Sequence, residues 1–221
     1  MGVSHRLVII TAIFITCLIT ANIIAVKVIS LGPIILPAAI FVFPLSYVFG
    51  DILTEVYGYH WARRVIWLGF ICNLIFVIFA WVGLLLPPAP FWQGQEAYES
   101  ILGYTPRLLA ASFGGYLVGE FANSFILAKM KILTRGRWLW SRTIGSTILG
   151  QGLDTSIFIT LAFIGTPSFV PIMMLYHWLA KTAIEAIATP LTYAIVNFLK
   201  EKEAIDTYDN ETNFNPFRIS D

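Results

Sequence analysis

The sequence predicts an all-α integral membrane protein with six transmembrane helices and both termini on the cytoplasmic side. Three observations carry that prediction. The chain of 221 residues is 57% hydrophobic and only 12% charged, which excludes an ordinary soluble domain. Its apolar residues fall into six runs, each near the length a helix needs to cross a bilayer. Lys and Arg concentrate on alternate sides of those runs, as the positive-inside rule requires.

Segment one runs from about Leu7 to Val26 and is apolar apart from Thr11, Thr16, Thr20 and Asn22. His5 and Arg6 precede it as in a signal peptide, but the length of the run and the lack of a convincing cleavage site favour a retained membrane helix. Gly32 and Pro33 mark a turn. Segment two then runs from about Ile34 to Glu55, with Pro37 and Pro44 bending it. Segment three covers about Val65 to Leu86. The stretch PPAPFWQGQEAYESILGY that follows is the one sizeable loop, and its Trp92 and Tyr98 suit a headgroup interface. Segment four runs from about Pro106 to Ala128, segment five from Thr143 to Gly165, and segment six from about Ile172 to Leu199, bent at Pro190. These segments make residues 1–200 one transmembrane domain. Residues 201–221 are polar, mixed in charge and poor in apolar side chains, and read as a disordered or loosely attached cytoplasmic tail.

The orientation follows from the basic residues. Arg63, Arg64, Lys129, Lys131, Arg135, Arg137 and Arg142 share a side with Arg6, Lys200 and Lys202. The opposite side holds only Lys27 and Arg107, beside Glu96 and Glu99. The lipid bilayer is therefore an expected partner. A net charge of +1 argues against nucleic acid. No nucleotide, zinc-protease or dinucleotide motif occurs, so no cofactor and no enzymatic activity are expected. Cys17 and Cys72 fall in apolar segments and read as small core residues, not as a disulfide. His5, His60 and His177 lie near or outside segment ends, which disfavours divalent-cation transport.

The buried charges carry the chemistry. Asp154 lies about 16 Å into the membrane from Thr143, at the usual helical rise. An acid at that depth has to be shielded, paired or used. Thr143, Thr147, Gln151 and Asp154 share one helix face, flanked by Gly145, Gly150 and Gly152. Such a stripe is either the wall of a solute cavity or a polar seam between helices. Asp51 and Glu55 are four apart in segment two, where Glu55 also suits a simple interfacial role. Glu120 follows the pair Gly115-xxx-Gly119, a close-packing signature that fits a homodimer or an internal interface, with Asn123 three residues on. Lys181 and Glu185 can neutralise each other, or Lys181 can pair with Asp154 or Glu120. Four acids (Asp51, Glu120, Asp154, Glu185) thus face one base. A cavity of carboxylates, amides and aromatic rings suits a planar heterocycle rich in N–H donors, and one carboxylate can accept both donors of a guanine-like edge.

Three strings sharpen this. GDILTEVYGYHWARR at 50–64, RGRWLWSRTIGSTILGQGLDT at 135–155 and WLAKTAIEAIATP at 178–190 resemble the queuosine precursor transporter family, also described as the vitamin uptake transporter family. The matching positions are Asp51, Thr54 and Glu55, then Ser146, Thr147, Gly150, Gln151 and Asp154, then Lys181. The resemblance implies a bacterial inner-membrane importer of 7-deazaguanine bases such as preQ0 and preQ1. Asp154 with Glu120 and Asn123 or Gln151 is then expected to read the base, with Asp51 and Lys181 completing or neutralising the site. Three other readings compete with it. One is the substrate-binding subunit of an energy-coupling factor transporter. A second is an intramembrane aspartyl protease using Asp51 and Asp154, disfavoured because Leu153 interrupts the GxGD-like string. The third is a purely structural or assembly role, disfavoured by so many buried charges.

Overall fold

The computed structural model describes residues 4–32, 34–103, 106–165, 169 and 171–218. Its helices are α1 (His5–Ile24), α2 (Phe43–Tyr57), α3 (Tyr59–Leu85), α4 (Gln95–Leu102), α5 (Pro106–Leu133), α6 (Leu139–Phe163) and α7 (Pro171–Glu203). An antiparallel hairpin, β1 (Val28–Leu31) and β2 (Ile34–Pro37), and a 3-10 turn at Ala38–Phe41 separate α1 from α2. The fold is nearly all-α. Among the described residues, four helical stretches are long and apolar enough to cross a membrane: His5–Ile24, Ala38–Tyr57, Tyr59–Leu85 and Pro171–Glu203. With 28 and 25 residues, α5 and α6 have the length as well, but they carry more polar side chains.

The hairpin corrects the expected second segment. Residues from Ile34 onward do not continue as one bent helix, because Pro37 ends β2 opposite Val28 and the amide of Ala38 bonds back to Lys27 O at 2.7 Å. Pro44 is not a kink either. It sits in the first turn of α2, where a missing N–H costs nothing. The turn expected at Gly32 and Pro33 fits a φ of 63° at Gly32, while Pro33 lies outside the described residues. The stretch expected as one loop carries the short α4, and Trp92 and Tyr98 meet edge-on there at 6.3 Å.

Gly58 alone separates α2 from α3. It adopts a φ of 87°, and a Cβ there would stand 2.7 Å from Thr207 Cγ2. Helix α3 therefore starts six residues earlier than its apolar run. Arg63 and Arg64, expected in a loop, ride on its first turns, and Arg63 is fully buried.

The tail is the other correction. Residues 204–218 are not loose, but run back across the ends of α2, α3 and α5. Asp209, 2% exposed, accepts from the Tyr59 amide at 3.0 Å and so caps the N-terminus of α3. Arg63 donates to the carbonyls of Asn213 (2.8 Å) and Asn215 (3.1 Å), and Trp67 donates to that of Pro216 (2.7 Å). Polar composition misleads here because the tail satisfies donors that would otherwise be orphaned.

Helix α2 is the central post. From Ser46 to Tyr57 every residue but Phe49 is buried, and α1, α3, α5 and α7 all pack on it. The close-packing signature on α5 is spent internally. A Cβ on Gly115 would stand 2.9 Å from Asp154 O, and one on Gly119 would stand 2.7 Å from Asp154 Cβ and 3.0 Å from Gly150 O. Gly150 in turn admits Asn123, so α5 and α6 meet backbone to backbone. Gly119→Ala should force the two helices apart and cost about 1–3 kcal/mol. Gly145→Ala, which meets only the flexible end of Met130 at 3.2 Å, should be tolerated. Thermal unfolding of the two variants in detergent checks this, and equal midpoints would remove the seam from the account.

Candidate functional site

One face of α2 orders the site. Phe43, Tyr47, Asp51 and Glu55 recur at every fourth position and so stand one above another along the helix. Each meets a different environment.

At the first level is a pocket of about 310 Å³ between α1, the hairpin, α5, α6 and α7. Its walls are mainly apolar and aromatic, Phe43, Phe158 and Phe163 among them, and its polar groups include Asp154, His177 and Lys181. Lys181 Nζ bonds Asp154 Oδ2 at 2.6 Å and lies 4.2 Å from the centroid of the Phe43 ring. Of the partners open to Lys181, it takes Asp154, not Glu185 or Glu120.

Behind that ion pair is a polar core. Asn123 Nδ2 donates to Asp51 Oδ1 at 2.7 Å, and the Thr147 hydroxyl donates to Glu185. Gln151 lies beside Glu185. Glu120 lies within electrostatic range of Asp51, Asp154 and Glu185, and Asp51 within range of Glu185. Eight of the nine residues expected at the site therefore converge: Asp51, Glu120, Asn123, Thr147, Gln151, Asp154, Lys181 and Glu185. Both oxygens of Glu120, Gln151 Oε1, Asn123 Oδ1 and the Tyr47 hydroxyl are buried without a hydrogen-bond partner among the described residues. Native interiors seldom leave so many polar atoms unpaired in one place, and a solute with complementary donors and acceptors would satisfy them.

Glu55 stands apart. Fully buried, it accepts two hydrogen bonds from Arg142 (2.8 Å each) and one from Lys200 (2.5 Å), with Lys131 at 3.5 Å. Lys131 also donates to the Glu55 carbonyl (2.6 Å), to Asp206 (2.5 Å) and to the Thr207 carbonyl (2.7 Å). Lys200 reaches Asp206 at 2.9 Å. This cluster ties α2, α5, α6 and α7 to the tail, so Glu55 is held in an ion-pair network at the helix ends, apart from the other eight residues. Burial works against the charge on Asp206, but hydrogen bonds from Lys131 and Lys200 outweigh it and hold the carboxyl below its ordinary value. A depressed folded value means that the bond stabilises fully above the unfolded value of about 3.9 and weakens only as pH falls through the lower one.

Composition and motif do not single out Tyr47 or Phe43. Extending the four-residue spacing of Glu55 and Asp51 backwards reaches both. Arg142, Lys131 and Asp206 were missed as partners because a charge count assigns such residues to loops. Among the described residues, no group of three or more His, Cys, Asp or Glu side chains is arranged to hold a metal ion.

A family model described as "Putative vitamin uptake transporter" matches residues 37–195, which contain all the residues of the polar core. The chain is 33% identical over 157 residues to a Bacillus subtilis (strain 168) protein named "Probable queuosine precursor transporter", covering 69% of this chain and 68% of that one. It is 27% identical over 159 residues to the Escherichia coli (strain K12) "Queuosine precursor transporter", covering 72% and 67% respectively. A Haemophilus influenzae protein named "Probable queuosine precursor transporter" is 26% identical over 121 residues, covering 55% and 49%. No solved structure matches the chain.

Proposed function

The chain belongs to the vitamin uptake transporter family, and on that premise we propose that it imports queuosine precursors, 7-deazaguanine bases such as preQ1 and preQ0, across the bacterial inner membrane. The family is one of transporters and not of enzymes. The observation that carries the substrate reading is the polar core, whose unpartnered carboxylate, amide and phenol atoms lie behind an aromatic pocket.

In this reading α1, α2 with its 3-10 turn, α3, α5, α6 and α7 all span the bilayer, and both termini are cytoplasmic. Two features support it. Leu68, Ile71, Ile75, Ile78 and Val82 form an exposed apolar stripe on α3, suited to lipid tails. The acidic and amide side chains inside α5 and α6, Glu120, Asn123, Gln151 and Asp154, are all buried.

The base enters through the aromatic pocket and stacks near Phe43. Its N1–H and amino group then meet the open oxygens of Glu120, while Gln151 and Tyr47 read the carbonyl edge. Asp51 is held by Asn123, and Glu185 by Thr147, as the walls of the core. The Asp154–Lys181 pair separates pocket from core. The excess of acids over bases favours the cationic aminomethyl group of preQ1. Binding of preQ1, preQ0, queuine, guanine and a vitamin control to purified protein tests this, with Glu120→Gln in parallel. A deazaguanine should bind, and the variant should lose about tenfold or more in affinity, the worth of a charge-assisted hydrogen bond. Well-folded protein that binds no base would overturn the proposal.

A further inference from the structure

The Glu55 cluster and the tail are not explained by recognition of a base. Glu55, Lys131, Arg142 and Lys200 come one each from α2, α5, α6 and α7, the same four helices that supply the polar core. A solute leaving the core at that end has to part them. Within the cluster, Lys131, Arg142 and Lys200 bring three positive charges against one buried carboxylate, and Asp206 supplies the second negative charge. Lys131 takes two of its bonds, to Asp206 and to the Thr207 carbonyl, from the tail. The Thr207 amide bonds Val56 O at 3.2 Å, and Asp209, Asn213, Asn215 and Pro216 fasten the following stretch to α3. These residues all lie beyond the stretch that the family model matches, which ends at 195.

We infer that residues 204–218 form a strap that latches the cytoplasmic gate, and that its hold on Lys131 and Lys200 sets how readily that side opens. The gate is the Glu55–Arg142–Lys131–Lys200 cluster. With the strap in place the two lysines share two carboxylates. Without it they crowd a single one, and like-charge repulsion favours separation of the helix ends. The inference rests on the transport reading and topology proposed above, but not on the identity of the substrate.

The test is cysteine accessibility in membrane vesicles, on a background in which Cys17 and Cys72 are replaced by alanine. Ser146→Cys lies buried one turn deeper than Arg142 and reports the cytoplasmic gate. Met173→Cys lines the pocket and reports the opposite side. Each reporter is combined with Asp206→Asn and with removal of residues 204–221, and labelled with an impermeant maleimide. Opening of the gate should speed cytoplasmic labelling of Ser146→Cys about tenfold and slow labelling of Met173→Cys from outside. Unchanged rates would overturn the strap, and so would faster labelling of both, which marks general loosening. Should the shortened chain fail to insert, Asp206→Asn alone decides by the same criteria. A Glu211→Cys on the exposed part of the strap has to react in inside-out vesicles only. Reaction in right-side-out vesicles would overturn the topology and the gate together, whereas failure of the base-binding assay would leave these rates unaffected.

Discussion

Glu55→Gln should destabilise the protein more than any other single change at the helix ends. The carboxylate is fully buried and accepts from two fully or largely buried cations, while a third lies within ion-pair range. Glutamine keeps the shape but leaves Arg142, Lys131 and Lys200 without their common counter-ion. Removing one member of a buried ion pair costs about 3–5 kcal/mol. The expected result is a lower unfolding midpoint in detergent and poor recovery from the membrane. Adding Arg142→Met should return part of the loss, because the buried cation that gives Glu55 two of its hydrogen bonds is then gone too. An unchanged midpoint for Glu55→Gln would show that the cluster is solvated and contributes little.

Asp154→Asn should abolish uptake while leaving membrane insertion intact. The substitution preserves volume between Gly115 and Gly119 but leaves Lys181 beside a neutral amide. Some stability is therefore lost for the same reason as at Glu55, and that loss has to be separated from the loss of transport. The double variant Asp154→Asn with Lys181→Gln does this. It should recover stability, since no unpaired charge remains, and still fail to transport. Recovery of transport along with stability would reduce the pair to helix glue, and normal uptake by Asp154→Asn alone would end its functional assignment.

Much of the candidate site was legible in the sequence because membrane segments make polar residues conspicuous. Asp51, Glu120, Asp154, Lys181 and Glu185 stand out against apolar runs, and helical spacing puts Asn123 beside Glu120 and Gln151 beside Asp154. What spacing could not supply was partnership between helices. Lys181 had three acids to choose from, and its choice of Asp154 depends on how α6 and α7 pack. The hairpin was hidden because a run of Val, Ile and Leu serves a strand as well as a membrane helix. The strap was hidden for a different reason. Its polar residues look unattached until Arg63, Trp67 and Lys131, all more than sixty positions earlier, are seen to need them. Tyr47 is not conspicuous in the sequence, because an aromatic residue in an apolar run gives no hint that its hydroxyl is buried with no hydrogen-bond partner among the described residues.

The glycine seam between α5 and α6 bears on how the molecule can move. Where two backbones touch through Gly115, Gly119 and Gly150, no long side chains remain to swing or re-pair, and close-packed surfaces of that kind have few alternative arrangements. The two helices should therefore travel as one rigid body. Motion is left to the boundary where that body faces α2 and α7, and the contacts there are hydrogen bonds and ion pairs that can be exchanged for others. The molecule is thus stiffest along the glycine seam and yields where ion pairs and hydrogen bonds cross from it to α2 and α7, so the groups best suited to meet a solute also sit along its hinge line.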